Sequence, residues 1–285
     1  MQTPPLTDQI ANVSPLVIVL IVMGFTLLRI ALAKADQSWA RAVSETCDTI
    51  NFVLILAFLL VRPFVAQAFY IPSESMENTL LTGDRLIVDK FSYRLHEPRR
   101  GDVVVFQAPP AALNPGDSPN TDFIKRLIGL PGDTIEVRGA RLKIGPEEWG
   151  PDPYNSDGVH GQLRTQLRLS EDEEVRLFPD HVLVDGTRRL SGEELAAELG
   201  RAGEPVTITP GQTLINGRPL KEPYVREDPS YDDGPRRIGE GEFLMLGDNR
   251  NRSKDGHIWG ALRRKNVVGR AAFVFWPPAR LGSIR

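Results

Sequence analysis

The stretch Phe123-Ile124-Lys125-Arg126-Leu127-Ile128-Gly129-Leu130-Pro131-Gly132-Asp133 sets a lysine between apolar residues, just ahead of a run that should be buried. A lone lysine is ordinarily solvated at the surface. One held against apolar walls loses its proton near neutral pH, because desolvation penalises the charged form, and such an amine is a general base for a serine. Upstream, Ile71-Pro72-Ser73-Glu74-Ser75-Met76 carries serines at i and i+2, which an extended segment turns to one side. One could attack while the other donates a hydrogen bond, although serine pairs are common in plain loops. Downstream, the polar, turn-rich segment Gly247-Asp248-Asn249-Arg250-Asn251-Arg252-Ser253-Lys254-Asp255-Gly256-His257-Ile258-Trp259-Gly260 follows the apolar Phe243-Leu244-Met245-Leu246. It reads either as a surface turn or as a polar network tying a site to its scaffold.

Around these stretches the chain reads as mostly β. Leu86–Asp89, Asp102–Gln107, Thr134–Arg138, Val182–Asp185, Val206–Thr209, Gln212–Ile215 and Ala271–Trp276 are short runs rich in Val, Ile, Leu or Phe, punctuated by Pro and Gly. Asn216-Gly217 predicts a tight hairpin turn, since type I′ needs positive φ at both central residues. One short helix is expected at about 192–199, with Ser191 as its cap and Glu194 closing the box. Residues 108–121 and 145–161 read as irregular. The more charged region from about 140 to 210 reads as an inserted subdomain.

The front of the chain differs. Pro15–Leu28 carries no charge, and Ile30–Ala33 continues it past Arg29. A second apolar span runs from about Thr46 to Val61, closed by Arg62 and Pro63. Both predict transmembrane helices, over 14–33 and 46–62, since neither run shows a polar face. No Lys or Arg precedes Val17, which fits a cleavable signal peptide poorly. Arg29, Lys34 and Arg41 flank or occupy the connection, so the positive-inside rule sets residues 34–45 in the cytoplasm. Residues 1–13 and the whole of 63–285 then lie on the extracytoplasmic side of the plasma (inner) membrane.

Composition narrows the chemistry. The chain has 285 residues, 41% hydrophobic and 25% charged, enough for a packed core. A mean hydropathy of -0.21 excludes a polytopic membrane protein throughout. A net charge of -3 argues against a nucleic-acid binder. One cysteine, Cys47, excludes an intrachain disulfide and a cysteine zinc site, and four scattered histidines do not suggest a metal. No cofactor is expected.

Taken together, the motifs resemble those of the type I signal peptidases, membrane proteases with a Ser-Lys dyad. The resemblance is carried by Pro72-Ser73-Glu74-Ser75-Met76 with Thr79-Leu80 and Gly83-Asp84, and by Arg100-Gly101-Asp102-Val103-Val104-Val105-Phe106. Lys125-Arg126 with Gly129-Leu130-Pro131-Gly132-Asp133 makes a third box. Gly247-Asp248-Asn249-Arg250, Ser253, Asp255 and Trp259-Gly260 make the fourth. The match covers roughly 45–138 and 210–276, and four boxes in order are highly specific.

The resemblance implies an antiparallel β catalytic body anchored by two N-terminal transmembrane helices. It implies Ser75 as nucleophile, Lys125 as general base, and an oxyanion hole from the Ser73 hydroxyl and the Ser75 backbone N–H. It implies that Ser253 orients the Lys125 amine, with Asp255 and Arg250 in a supporting polar network. The implied partners are signal-peptide-bearing preproteins, the lipid bilayer and the export translocon, with cleavage after small residues in an Ala-x-Ala-like pattern. Such a pattern needs shallow apolar subsites, for which Phe69, Ile71, Met76, Leu80 and Ile124 are candidates; Ile87 and Phe106 read as core. Phe64, Phe69, Tyr70, Phe275 and Trp276 are candidates for the lipid interface.

Three features depart from the family pattern. Asn78 stands where it has Pro, and Gly256-His257 where it has Ser-Arg. About 74 residues separate Arg138 from Thr213, where a hairpin would run directly into the Asn-Gly turn. Two other readings compete: a membrane-tethered, self-cleaving Ser-Lys regulator, and an inactive scaffold. The first lacks any DNA-binding or linker module, and the intact Ser73, Ser75, Lys125 and Ser253 weigh against the second.

Overall fold

The computed structural model describes residues 15–32, 37–61, 65–151 and 158–285. The predicted N-terminal segment, Ala33 to Asp36 of the connection, Arg62, Pro63 and Phe64, and residues 152–157 of the stretch read as irregular lie outside those residues. In chain order the elements are α1 (Pro15–Leu32), α2 (Ser38–Ile55), β1 (Ala66–Tyr70), β2 (Arg85–Asp89), the single turn α3 (Ser92–Leu95), β3 (Val103–Gln107), β4 (Asp122–Gly129) and β5 (Thr134–Arg138). Then come β6 (Arg141–Ile144), β7 (Glu147–Trp149), α4 (Gly158–Leu167), β8 (Val175–Phe178), β9 (His181–Val184), β10 (Arg188–Ser191), α5 (Gly192–Glu198) and β11 (Val206–Thr209). The chain ends with β12 (Gln212–Ile215), β13 (Arg218–Pro219), β14 (Asp233–Arg237), β15 (Glu242–Leu246), the turn α6 (Gly256–Trp259), β16 (Leu262–Arg263), β17 (Val267–Trp276) and β18 (Gly282–Ser283).

Two compact units result. The first contains α1, α2, β1, β2, α3, β18 and β17 from Gly269 on. Here β2 pairs antiparallel with both β1 and β17. Leu86 and Val88 point inward and are fully buried, whereas Ile87, expected in the core, falls on the half-exposed alternate face. Asp84, itself buried, pairs with Arg280 at 2.8 Å.

In the helical hairpin, Asn51 Nδ2 donates to Thr26 Oγ1 at 3.1 Å, and Arg29 meets Asp48 at 3.0 Å. Cys47 is buried on the same face of α2 as Ala40 and Asn51. The helix begins at Ser38, well before the expected Thr46, because Ala40, Arg41, Ala42 and Glu45 are good helix formers. Among the described residues no helix is long and apolar enough to cross a membrane. The 18 residues of α1 span about 27 Å at 1.5 Å each, against a hydrocarbon core of ~30 Å.

The second unit is built of antiparallel sheets. One runs β3-β4-β15-β16, and another β13-β12-β5-β14, over a core of Ile128, Ile135, Val137, Ile238, Leu244 and Leu246. A register shift between Leu244 and Met245 bends β15 as it passes β4. Asn216 and Gly217 have φ of 52° and 78°, as the hairpin turn requires.

The insertion forms two three-stranded sheets, β11-β6-β7 and β10-β9-β8, with α4 and α5. Its own core joins Leu142, Val159, Leu163, Val182 and Leu195. Ser191 and Glu194 form the expected capping box on α5. The stretch read as irregular, 145–161, contains β7 and the start of α4. Gly158 and Gly161 masked that helix, which packs its apolar Val159 and Leu163 inward.

Candidate functional site

Ser75 and Lys125, fifty positions apart, meet in the second unit. Lys125 Nζ and Ser75 Oγ are 2.6 Å apart, and both side chains are buried. Ser75 sits in a single 3₁₀ turn, Glu74–Met76, entered from the extended Ser73. Lys125 projects from β4, where Val103↔Arg126 and Val104↔Lys125 pairings with β3 fix the register. Burial pushes the Lys125 ammonium down to about 8, although the nearby carboxylates of Asp255 and Asp248 pull upward. An amine in that range is substantially neutral at mildly alkaline pH. Ser73 Oγ lies 3.4 Å from Ser75 Oγ and is exposed.

Because strand residues alternate, Arg126 points away from Lys125. It is almost wholly buried and grips Asp248 with two bonds, Nε to Oδ1 at 2.8 Å and Nη2 to Oδ2 at 2.6 Å. Thr79 Oγ1 donates to the same carboxylate at 2.5 Å, and Tyr224 stacks on the guanidinium with its centroid 3.9 Å away. A buried charge pair persists only with such geometry and satisfied partners. It locks β4 to the segment after β15.

That segment wraps the dyad. Asn249 N–H donates to the Ser75 carbonyl at 3.2 Å. The Gly247 peptide is held from two directions: its N–H donates to Asp255 Oδ2 at 2.7 Å, and its carbonyl accepts from Arg250 Nε at 3.1 Å. Arg250 is buried against Glu222 and donates to Thr213 Oγ1 at 2.5 Å. Arg250 and Asp255 therefore act on one glycine from opposite sides. Burial would raise the Asp255 carboxyl, but the His257 ring and the Gly247 N–H hold it below its usual range. His257 Nδ1 lies 2.7 Å from Asp255 Oδ1, and its ring stacks on Tyr231 at 4.0 Å. His257 thus pairs with Asp255 although it replaces the arginine of the family pattern.

Ser253 Oγ is buried beside Gly247, and its hydroxyl helps hold the Asp255 carboxyl low; the Lys125 amine bonds Ser75. Of the expected substrate-facing residues, Met76 and Leu80 are fully buried and Ile71 nearly so, while Ile124 is half-buried. Phe69 is half-buried on β1 of the other unit. Phe106 is core, edge-on to Phe123 at 6.3 Å. Sequence reading missed Arg226, Glu222 and the Arg126–Asp248 lock. Only the adjacency of Arg126 to Lys125 and of Asp248 to Gly247 hinted at the last.

A family model described as signal peptidase, peptidase S26, matches residues 43–191 and 199–276. The signal peptidase I of Leptolyngbya laminosa is 36% identical over 251 residues, covering 88% of this chain and 86% of that protein. A probable signal peptidase I-2 of Synechocystis sp. is 33% identical over 238 residues, covering 84% of this chain and 75% of that protein. The solved structure of a signal peptidase I from Enterococcus faecalis V583 covers 61% of this chain and 97% of that one, with 22% identity and a TM-score of 0.23.

Proposed function

The chain belongs to the signal peptidase family, peptidase S26, and from that premise we propose a membrane-held serine endopeptidase that removes signal peptides from exported preproteins after small residues. The observation that carries this reading is the buried 2.6 Å contact between Ser75 Oγ and Lys125 Nζ. In the neutral state the amine takes the Ser75 proton as Oγ bonds to the scissile carbonyl carbon. The oxyanion forms where the Ser73 hydroxyl and the Ser75 N–H can donate, a contribution of ~3 kcal/mol per donor. The ammonium then gives its proton to the departing amine. Water, deprotonated by Lys125, releases the acyl chain from Ser75 and restores the dyad. Ser253, buried beside Gly247 and next to Asp255, is assigned to orient the amine. Ile124, partly open on β4, is assigned to an apolar subsite for an extended substrate.

The membrane reading is supported by apolar side chains left facing outward on α1, among them Leu16, Val19, Leu20, Met23, Leu27 and Ile30. It sets the helical hairpin in the bilayer with its connection in the cytoplasm and residues 63–285 outside, where translocated preproteins and the translocon would be met. Tyr70 and Trp276, both about half exposed, are assigned to the lipid interface.

The test is cleavage of a purified preprotein in detergent by the full chain, with the new N-terminus sequenced. Cleavage after an Ala-x-Ala site, abolished in Ser75→Ala and Lys125→Ala, is expected. Cleavage retained by Ser75→Ala would sink the assignment, and cutting of the chain itself in place of the preprotein would favour self-processing.

A further inference from the structure

We propose that the insertion braces the nucleophile turn, and that Arg226 is a positioning residue for Ser75, seconded by Arg252. The inference rests on Ser75 being the nucleophile. Two glutamates frame the turn that carries it. Glu77 pairs with Arg226 Nη1, and Glu74 lies 3.6 Å from Arg252 Nη1. The other amino group of each arginine reaches the insertion. Arg226 Nη2 donates to the Asp172 carbonyl at 2.6 Å, and Arg252 Nη2 to the Glu171 carbonyl at 2.9 Å. Consecutive carbonyls of one turn, between α4 and β8, are thus strapped to the residues on either side of Ser75. Each strap needs a planar fork that donates in two directions, which a lysine ammonium does not supply in the same way.

Both ends of the strap are fixed. The turn in the insertion closes on itself, with Ser170 N–H donating to Glu173 Oε2 at 2.7 Å, and α4 holds it through Arg164 Nε to the Glu173 carbonyl at 3.1 Å. Arg226 N–H donates to the Asp248 carbonyl at 3.1 Å, inside the segment that wraps the dyad. The two straps are not equal. The Arg226 side chain is 12% exposed, whereas Glu74 is 55% exposed and its ion pair is long. An exposed pair of that kind contributes little, so Arg226 dominates. Displacing a nucleophile by about 1 Å costs on the order of 10²-fold in rate.

The experiment measures kcat, KM, pH profile and melting temperature for preprotein cleavage by the full chain in detergent. The variants are Ser75→Ala, Arg226→Ala, Arg226→Lys, Glu77→Gln and Arg252→Ala. Arg226→Ala and Glu77→Gln are expected to lower kcat about 10- to 100-fold with KM and pH midpoint unchanged, at temperatures where both variants are still fully folded. Arg252→Ala is expected to lose less than about threefold. Arg226→Lys keeps a charge for Glu77 but not the second bond to Asp172, so it should recover only part of the loss. Wild-type kcat in Arg226→Ala, a loss that tracks melting temperature, or full rescue by lysine would each overturn the brace. Turnover retained by Ser75→Ala would overturn the nucleophile assignment and the brace with it. An inactive Ser75→Ala beside a fully active Arg226→Ala would overturn the brace alone.

Discussion

Ser253 occupies the space that a β-carbon on Gly247 would need: such an atom would lie 2.5 Å from Ser253 Cβ and 2.5 Å from the Ser75 carbonyl oxygen. Glycine is required there by contact, since the segment must pass against the nucleophile turn and the Ser253 hydroxyl together. Gly247→Ala should push these apart. We expect a loss of on the order of 10²-fold in kcat and ~1–3 kcal/mol of stability, read by preprotein cleavage and thermal unfolding. Wild-type turnover in this variant would show that the segment can shift without disturbing Ser75.

The pH profile follows from Lys125. Burial brings its pKa down to about 8, so cleavage should rise with pH through that value as the base becomes neutral. The Asp255 charge opposes the shift. Asp255→Asn keeps a carbonyl to accept the Gly247 N–H but removes the charge, and should move the midpoint to lower pH. A midpoint that stays in place or rises would remove Asp255 from the electrostatics of the amine.

The same burial has a cost in stability. Below pH 8 the folded chain must hold a charged ammonium that prefers water, and the cost is relieved between about 8 and the ordinary value of 10.5, where only the unfolded chain still binds that proton. Lys125→Met should therefore be inactive yet more stable at pH 7, by on the order of 3 kcal/mol. The gain should fade as pH rises toward 10.5, measured by denaturant unfolding at several pH values. An equal gain at all pH values would assign it to packing alone.

Two of the departures from the family pattern are fitted to this backbone. Asn78 has φ of 86°, in the left-handed region that Asn tolerates and the proline ring forbids. At Gly256 an added Cβ would come within 2.7 Å of Leu244 Cδ1 and 2.8 Å of the Met245 carbonyl oxygen. Restoring the family residues singly, as Asn78→Pro or Gly256→Ser, should each destabilise by ~1–3 kcal/mol in thermal unfolding. Asn78→Gly should be nearly neutral. Unchanged stability in Gly256→Ser would mean that Leu244 has room to yield.

That Ser75 and Lys125 touch, fifty positions apart, appears only in the fold. Residue type marked both as candidates, because a serine pair and a lysine among apolar residues are local signals. The β character, the Asn216-Gly217 turn and the capped α5 were readable for the same reason. What was not readable depends on partners distant in sequence. Glu77 and Arg226 are 149 positions apart, and nothing near either announces the pairing. Arg126 could be quoted beside Lys125, but its role appears only when Asp248 is brought against it. Met76 and Leu80, offered as apolar subsite candidates, are both fully buried, which apolar character alone could not tell from substrate contact.

In the antiparallel pair of β5 and β12, Arg138 stands directly across from Gln212. The chain therefore leaves for the insertion and returns from it at neighbouring points. Closing a disordered segment of some 70 residues costs about 4 kcal/mol in chain entropy, beyond a constant. A folded insert presents its two ends already side by side and acts on the hairpin as a short turn would. The insertion can thus lengthen, shrink or change its surface between generations of the gene without asking the hairpin to rearrange. The rest of the molecule keeps its claim where the far turn touches Arg226 and Arg252, and along 227–232, where Arg164 meets Glu227 and His160 meets Asp228 and Ser230.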